Sequence, residues 1–141
     1  MLTMNATDVR KNWSEVSDNV VRVKPQFIKR TRDYMILTNI EFMEDLLDVY
    51  TFSATEFEET NGSITLSLNE LDLVENAPTL KEAKHMLAKS ILEYATEFYE
   101  EFKVWSAAPN RKKHIPYVFK ALIMDDVQKI EECIICQAGK N

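Results

Sequence analysis

The chain has 141 residues, a net charge of −6, 45% hydrophobic and 28% charged residues, which fits one ordinary domain or two small ones and excludes wholesale disorder. No apolar run approaches the ~20 residues of a spanning helix, and Met1-Leu-Thr-Met-Asn5 lacks the basic and apolar regions of a secretory signal. Two cysteines and two glycines exclude a secreted disulfide framework and Gly-rich phosphate loops, so a cytoplasmic protein without membrane attachment is expected.

Charge is unevenly spread. Met1–Asn39 holds seven Lys or Arg against four Asp or Glu, a balance of +3, and the remainder carries −9. Within the basic part, Thr7 is the expected cap of a helix over roughly 8–22, since its hydroxyl can accept from the free N–H groups of a first turn. Val9, Trp13, Val16 and Val20 recur at steps of four, three and four, one apolar stripe of that helix. Pro25 ends it. Gln26–Arg30 and Tyr34–Leu37 read as strands joined by the polar turn Thr31-Arg-Asp33, a β-hairpin. Thr38 and Glu41 form a capping box for a helix over roughly 39–48, with Ile40, Met43 and Leu47 as its stripe.

The pattern then changes period. Tyr50, Phe52 and Ala54 alternate with polar residues, Asn61-Gly62 is a strong hairpin turn, and Ile64, Leu66 and Leu68 share one face of a second strand. Glu70 to Ala77 reads as a polar connection. Thr79-Leu-Lys-Glu82 caps a long helix over roughly 79–103, striped by Leu87, Ile91, Tyr94 and Phe98. Pro109 to Pro116 is a loop with the basic run Arg111-Lys-Lys-His114. Two further helices are expected over Tyr117–Met124 and Asp125–Ile135, the second capped by Asp125 with Val127, Ile130 and Ile134 inward. The fold class is therefore α+β: an α-β-β-α head over residues 1–48, then a second α+β domain over 49–141, made of a β-hairpin, a long helix and C-terminal helices.

Three segments of the head, Ala6-Thr-Asp-Val-Arg-Lys-Asn-Trp13, Pro25-Gln-Phe-Ile-Lys-Arg30 and Met35-Ile-Leu-Thr-Asn-Ile-Glu-Phe-Met43, resemble the Phd/YefM antitoxin family. Trp13 stands where that family has Leu, Lys29 where it has a hydroxylic residue, and the Thr31-Arg-Asp33 turn lacks the family's glycine. The resemblance implies a homodimerising head that binds operator DNA. On that basis Thr7, Arg10, Lys11, Arg30 and Arg32 are candidate DNA contacts: Arg10 and Lys11 at the start of the first helix, where free N–H groups also favour phosphate, and Arg30 and Arg32 beside the hairpin turn. Trp13, Val16, Val20, Ile36 and Leu37 are the candidate dimer interface, a head this small burying too little surface to stand comfortably alone.

The second part is too richly patterned for a flexible tail. Ile64 to Leu73 followed by Ala77-Pro-Thr-Leu-Lys-Glu-Ala83 is similar to the strand, loop and helix start of HicB-like antitoxin domains. Together the chain looks like a larger Phd-like antitoxin of RelE/RelB-type toxin–antitoxin systems. That implies a small basic toxin, commonly an RNA-cleaving enzyme, as partner, bound through residues 49–141 and neutralised, with the head repressing its own operon. A stand-alone dimeric transcriptional regulator is the alternative. Cys133 and Cys136 form C-x-x-C, but a structural zinc needs four ligands, and only His85 and His114 are left to complete a set. With no nucleophile elbow, Walker loop or dinucleotide loop, no catalytic residue, metal or cofactor is expected.

Overall fold

In the computed structural model, which describes residues 1–139, the chain divides into two compact units, Met1–Leu46 and Leu47 onward. Both are α+β.

The first unit contains β1 (Thr3–Asn5), α1 (Ala6–Lys11), α2 (Trp13–Arg22), β2 (Gln26–Arg30) and β3 (Asp33–Leu37), and α3 (Ile40–Leu47) begins in it. The sheet order is β1-β2-β3, with β1 parallel to β2 and β2 antiparallel to β3. The expected helix over 8–22 is two helices. Asn12 breaks it (φ −114°, ψ 34°), and its side-chain amide donates to the Asp8 carbonyl at 3.0 Å, the local competition that makes Asn a poor interior helix residue. The cap also moves. Asn5, not Thr7, caps α1, its Oδ1 accepting from the Thr7 N–H at 2.8 Å. Likewise Asn39, not Thr38, caps α3, its Oδ1 accepting from the Phe42 N–H at 2.7 Å while its amide donates to the Val21 carbonyl at 3.1 Å. Val9, Val16, Val20 and Ile28 form the core, with Met4, Ala6 and Leu37 against it.

The second unit contains β4 (Ser53–Glu58), β5 (Ile64–Leu68), β6 (Val74–Ala77), α4 (Leu80–Glu100), α5 (Phe102–Ala107), a 3-10 turn (Lys112–His114), α6 (Ile115–Met124), α7 (Val127–Cys133) and β7 (Ile135–Ala138). The sheet order is β6-β5-β4-β7, antiparallel except for β7, which runs parallel to β4. The expected polar connection over 70–77 thus contains a strand. The expected last helix stops at Cys133, because Ile135 onward pairs with β4. Asp126 rather than Asp125 caps α7, its Oδ1 accepting from the Lys129 N–H at 3.2 Å, whereas Asp125 closes α6 in the left-handed region (φ 44°). The long helix breaks at Glu101 and resumes as α5. Thr79 caps α4 as expected, accepting from the Glu82 N–H.

Alternation along β4 and β5 turns Ala54, Leu66 and Leu68 to the helices. Ala83, Leu87, Ile91, Ala95 and Phe98 of α4, with Val118 and Ala121 of α6 and Ile130 of α7, complete the core. The alanines let the sheet and helices approach α4 closely. Each large side chain here contributes about 1.5–3 kcal/mol through burial, so this unit has a core of its own.

Candidate DNA-contacting and pairing surface

The head's sheet has two unlike faces. Cross-strand neighbours share a face, so Ile28 and Met35 lie on the helix side, with Arg30 and Asp33 at its end, while Phe27 with Ile36 and Lys29 with Tyr34 lie on the open side. On the open side Ile36 is 51% exposed, and the Lys29 ammonium sits over the Tyr34 ring at 5.7 Å. On the helix side, Ala6, Val9, Arg10, Trp13, Ile28 and Met35 line an apolar groove of about 300 Å³. Trp13 stands at this groove 53% exposed.

Of the basic candidates, Arg10 lines this groove and Arg30 shares its face of the sheet. The Asn5 cap puts Arg10 and Lys11 in the last turn of α1 rather than the first, so the free N–H groups of that helix start are not beside them. Arg10 instead lines the groove, and Arg30 projects from the groove side of β2. Arg32 lies in the two-residue hairpin loop Thr31-Arg32, since Arg30 pairs directly with Asp33. Thr31 carries a positive φ of 56° there, a conformation disfavoured for a β-branched residue. Thr7, Arg10, Lys11, Arg30 and Arg32 are all exposed.

The five pairing candidates separate. Val16 and Val20 belong to the head's own core and Leu37 packs on its edge, whereas Trp13 and Ile36 face outward. Sequence periodicity marks Phe27 as apolar core or interface but misses Tyr34 and Met35; all three are exposed, and the register of the hairpin puts Phe27 and Tyr34 on the Ile36 face and Met35 at the groove. Of nineteen large apolar side chains exposed among the described residues, twelve belong to Met1–Leu46, about a third of the chain. Such density on a small unit marks a surface meant to be covered.

Both histidines and both cysteines of the chain lie in the second unit. His114 is buried, 3% exposed. Its Nδ1 meets the Tyr94 hydroxyl at 2.7 Å, and its Nε2 has no hydrogen-bond partner, the nearest carboxylate, Asp72, being 3.7 Å away. Burial lowers the His114 pKa; the Asp72 carboxylate opposes this, and Lys113 and Arg111 reinforce it. His85 is engaged by Glu131 at 2.7 Å. Burial raises the pKa of Cys133 and Cys136, against the pull of Lys120 and Lys84 respectively, which keeps both thiols protonated and weakly reactive. Among the described residues no group of three His, Cys, Asp or Glu could hold a metal ion, and no helix is long and apolar enough to cross a membrane.

Residues 1–136 match the PHD_like family, described as "Antitoxin of toxin-antitoxin, RelE / RelB, TA system". A crystal structure from Syntrophomonas wolfei subsp. wolfei, described as an antitoxin part of a proposed toxin/antitoxin system, is similar along the whole chain: 34% identity, TM-score 0.93, covering 99% of this chain and 100% of that one. Comparison with curated proteins gives no match. Over its head and its second unit alike, the chain belongs to the PHD-like family of antitoxins of RelE/RelB-type toxin–antitoxin systems.

Proposed function

We propose that this antitoxin binds and neutralises a small basic RNase-type toxin in the cytoplasm, and represses its own operon through a homodimeric, DNA-binding head. The observation carrying the reading is the helix-side surface of the head, where Arg10 and Arg30 adjoin an open apolar groove with Trp13 at its edge. A second copy seated on this groove would bury Trp13 and Met35 and set two basic patches side by side. Two symmetric patches suit an inverted repeat. Val16, Val20 and Leu37 support that interface from beneath. Arg10 and Arg30 would contact base edges or phosphates, Thr7, Lys11 and Arg32 the backbone. The acidic remainder of the chain suits a basic toxin.

The test is a gel-shift titration against DNA from upstream of the gene. Arg10→Ala should weaken binding by roughly tenfold or more, the loss of one good contact, with the toxin still bound. Unchanged DNA affinity would remove the assignment. A homodimer that binds the upstream DNA but no toxin would favour a stand-alone regulator.

A further inference from the structure

Strand β3 is an edge of its sheet: the order β1-β2-β3 leaves one side of it without a neighbour. Arg30 pairs directly with Asp33 across a two-residue loop, which makes theirs a hydrogen-bonded pair. Asp33, Met35 and Leu37 therefore bond to β2, and the N–H and C=O groups of Tyr34 and Ile36 point outward. Among the described residues no turn, loop or cap bonds to these groups. Tyr34, Met35 and Ile36 are 55%, 47% and 51% exposed, although they alternate between the two faces of the sheet. Edges that must stay unpaired are usually blunted by a lysine, a proline or a bulge. Asp33–Leu37 has none of these, and its register against β2 is unbroken over five pairs.

We infer that β3 pairs antiparallel with β3 of a second copy, with Met35 on the two-fold axis, so that two three-stranded sheets become one of six strands. Tyr34 then lies opposite Ile36 of the second copy, and Ile36 opposite its Tyr34. Both are hydrogen-bonded pairs, which satisfies every outward group, and each sets an aromatic ring beside a β-branched side chain. One register thus serves both copies alike, as a two-fold contact requires. Met35 also lines the groove, so the strand pairing lies along the groove's rim. The inference rests on the homodimer reading above and deepens it by naming the backbone contact. Charge selects a second copy over the toxin. The hairpin carries Lys29, Arg30 and Arg32 against Asp33, and a strand from a basic toxin laid on β3 would meet those cations within about two strand spacings, ~10 Å. In the self-pair the two β2 strands are three spacings apart, ~14 Å, beyond the Debye length at physiological salt. The antiparallel register sends the two Arg32 side chains, and the two Asp33 carboxylates, to opposite ends.

The experiment uses the full-length chain. Amide hydrogen exchange should show the Tyr34 and Ile36 N–H groups protected where the chain is dimeric and unprotected on dilution. Met35→Cys occupies a non-hydrogen-bonded pair with Cα atoms about 4.5 Å apart, within disulfide range. Mild oxidation with diamide should join position 35 of one copy to position 35 of the other, read by mass spectrometry of the linked peptide, whereas Phe27→Cys on β2 should not link. Ile36→Pro removes an outward N–H that β2 does not use, and Ile36→Lys places a charge on the edge. Each change acts twice across the two-fold axis, so both should weaken dimerisation by about tenfold or more in sedimentation equilibrium, with the circular-dichroism spectrum of the wild type. A dimer of unchanged strength in both variants, with no link between the two positions 35, would overturn the proposal and leave the homodimer reading to another surface. A wild-type chain that stays monomeric would overturn both.

Discussion

His114 should make the second unit sensitive to mild acid. A histidine whose pKa is lowered in the folded state binds fewer protons there than in the unfolded chain. Its ordinary value is 6.5, and burial pushes the folded value below this, with Asp72 opposing. Stability is therefore undiminished above about pH 6.5 and falls as pH drops from there toward the folded pKa, below which the loss is complete. One proton bounds the slope in that window at about 1.4 kcal/mol per pH unit. Tyr94 satisfies only Nδ1; the Nε2 hydrogen points into a site where the nearest carboxylate oxygen is 3.7 Å away, too far for a normal hydrogen bond. Urea unfolding between pH 7.5 and 5, followed by Trp105 fluorescence, measures the slope. His114→Gln should flatten the pH 6.5 to 5 segment whatever its effect on stability at pH 7.5. Asp72→Asn should steepen it, because the carboxylate opposing the shift is gone, and Asn tolerates the left-handed backbone at position 72 (φ 56°). Equal slopes in wild type and His114→Gln would show that His114 does not carry the acid sensitivity.

Three further outcomes are expected. A Cβ added at Gly139 would overlap the Phe57 ring, so Gly139→Ala should force the half-buried ring aside and lower stability by about 1 kcal/mol or more, read as a drop in Tm. Thr31→Asn should raise the stability of the head by several tenths to about 1 kcal/mol, since Asn accepts the positive φ of 56° more readily than a β-branched side chain; an unchanged or lower unfolding midpoint would contradict this. Trp13→Ser should shift sedimentation equilibrium toward monomer while leaving the Val9, Val16, Val20 and Ile28 core intact, and a dimer of unchanged strength would show that the groove is not the pairing surface.

What was legible in the sequence was what local chemistry dictates. The helix–hairpin–helix order of the head, the Asn61-Gly62 turn, the Thr79 cap and the buried Leu87, Ile91 and Phe98 all follow from periodicity and turn residues. The strands β1, β6 and β7 did not, because each is short and held by a partner outside its own segment: β1 and β7 pair in parallel with distant strands, and β6 is a polar edge. Asn12 shows a local signal overruled by a hydrogen bond, and the earlier cap at Asn5 together with that break puts Arg10 in the last turn of a short helix, at the groove, rather than at a helix start. The uncovered faces of the head were hidden for a different reason. Periodicity marks apolar residues but not whether the chain itself covers them, so Val16 and Ile36 read alike although one is buried and the other exposed.

Neutralisation of a toxin by direct binding is measured by the growth of cells expressing the adjacent small gene, with and without this chain, together with co-purification of the two products. Growth should arrest without the chain and recover with it, and this protein should emerge in a stoichiometric complex with a small basic partner. Growth arrest that the chain does not relieve, or a clean homodimer with no partner attached, would contradict it.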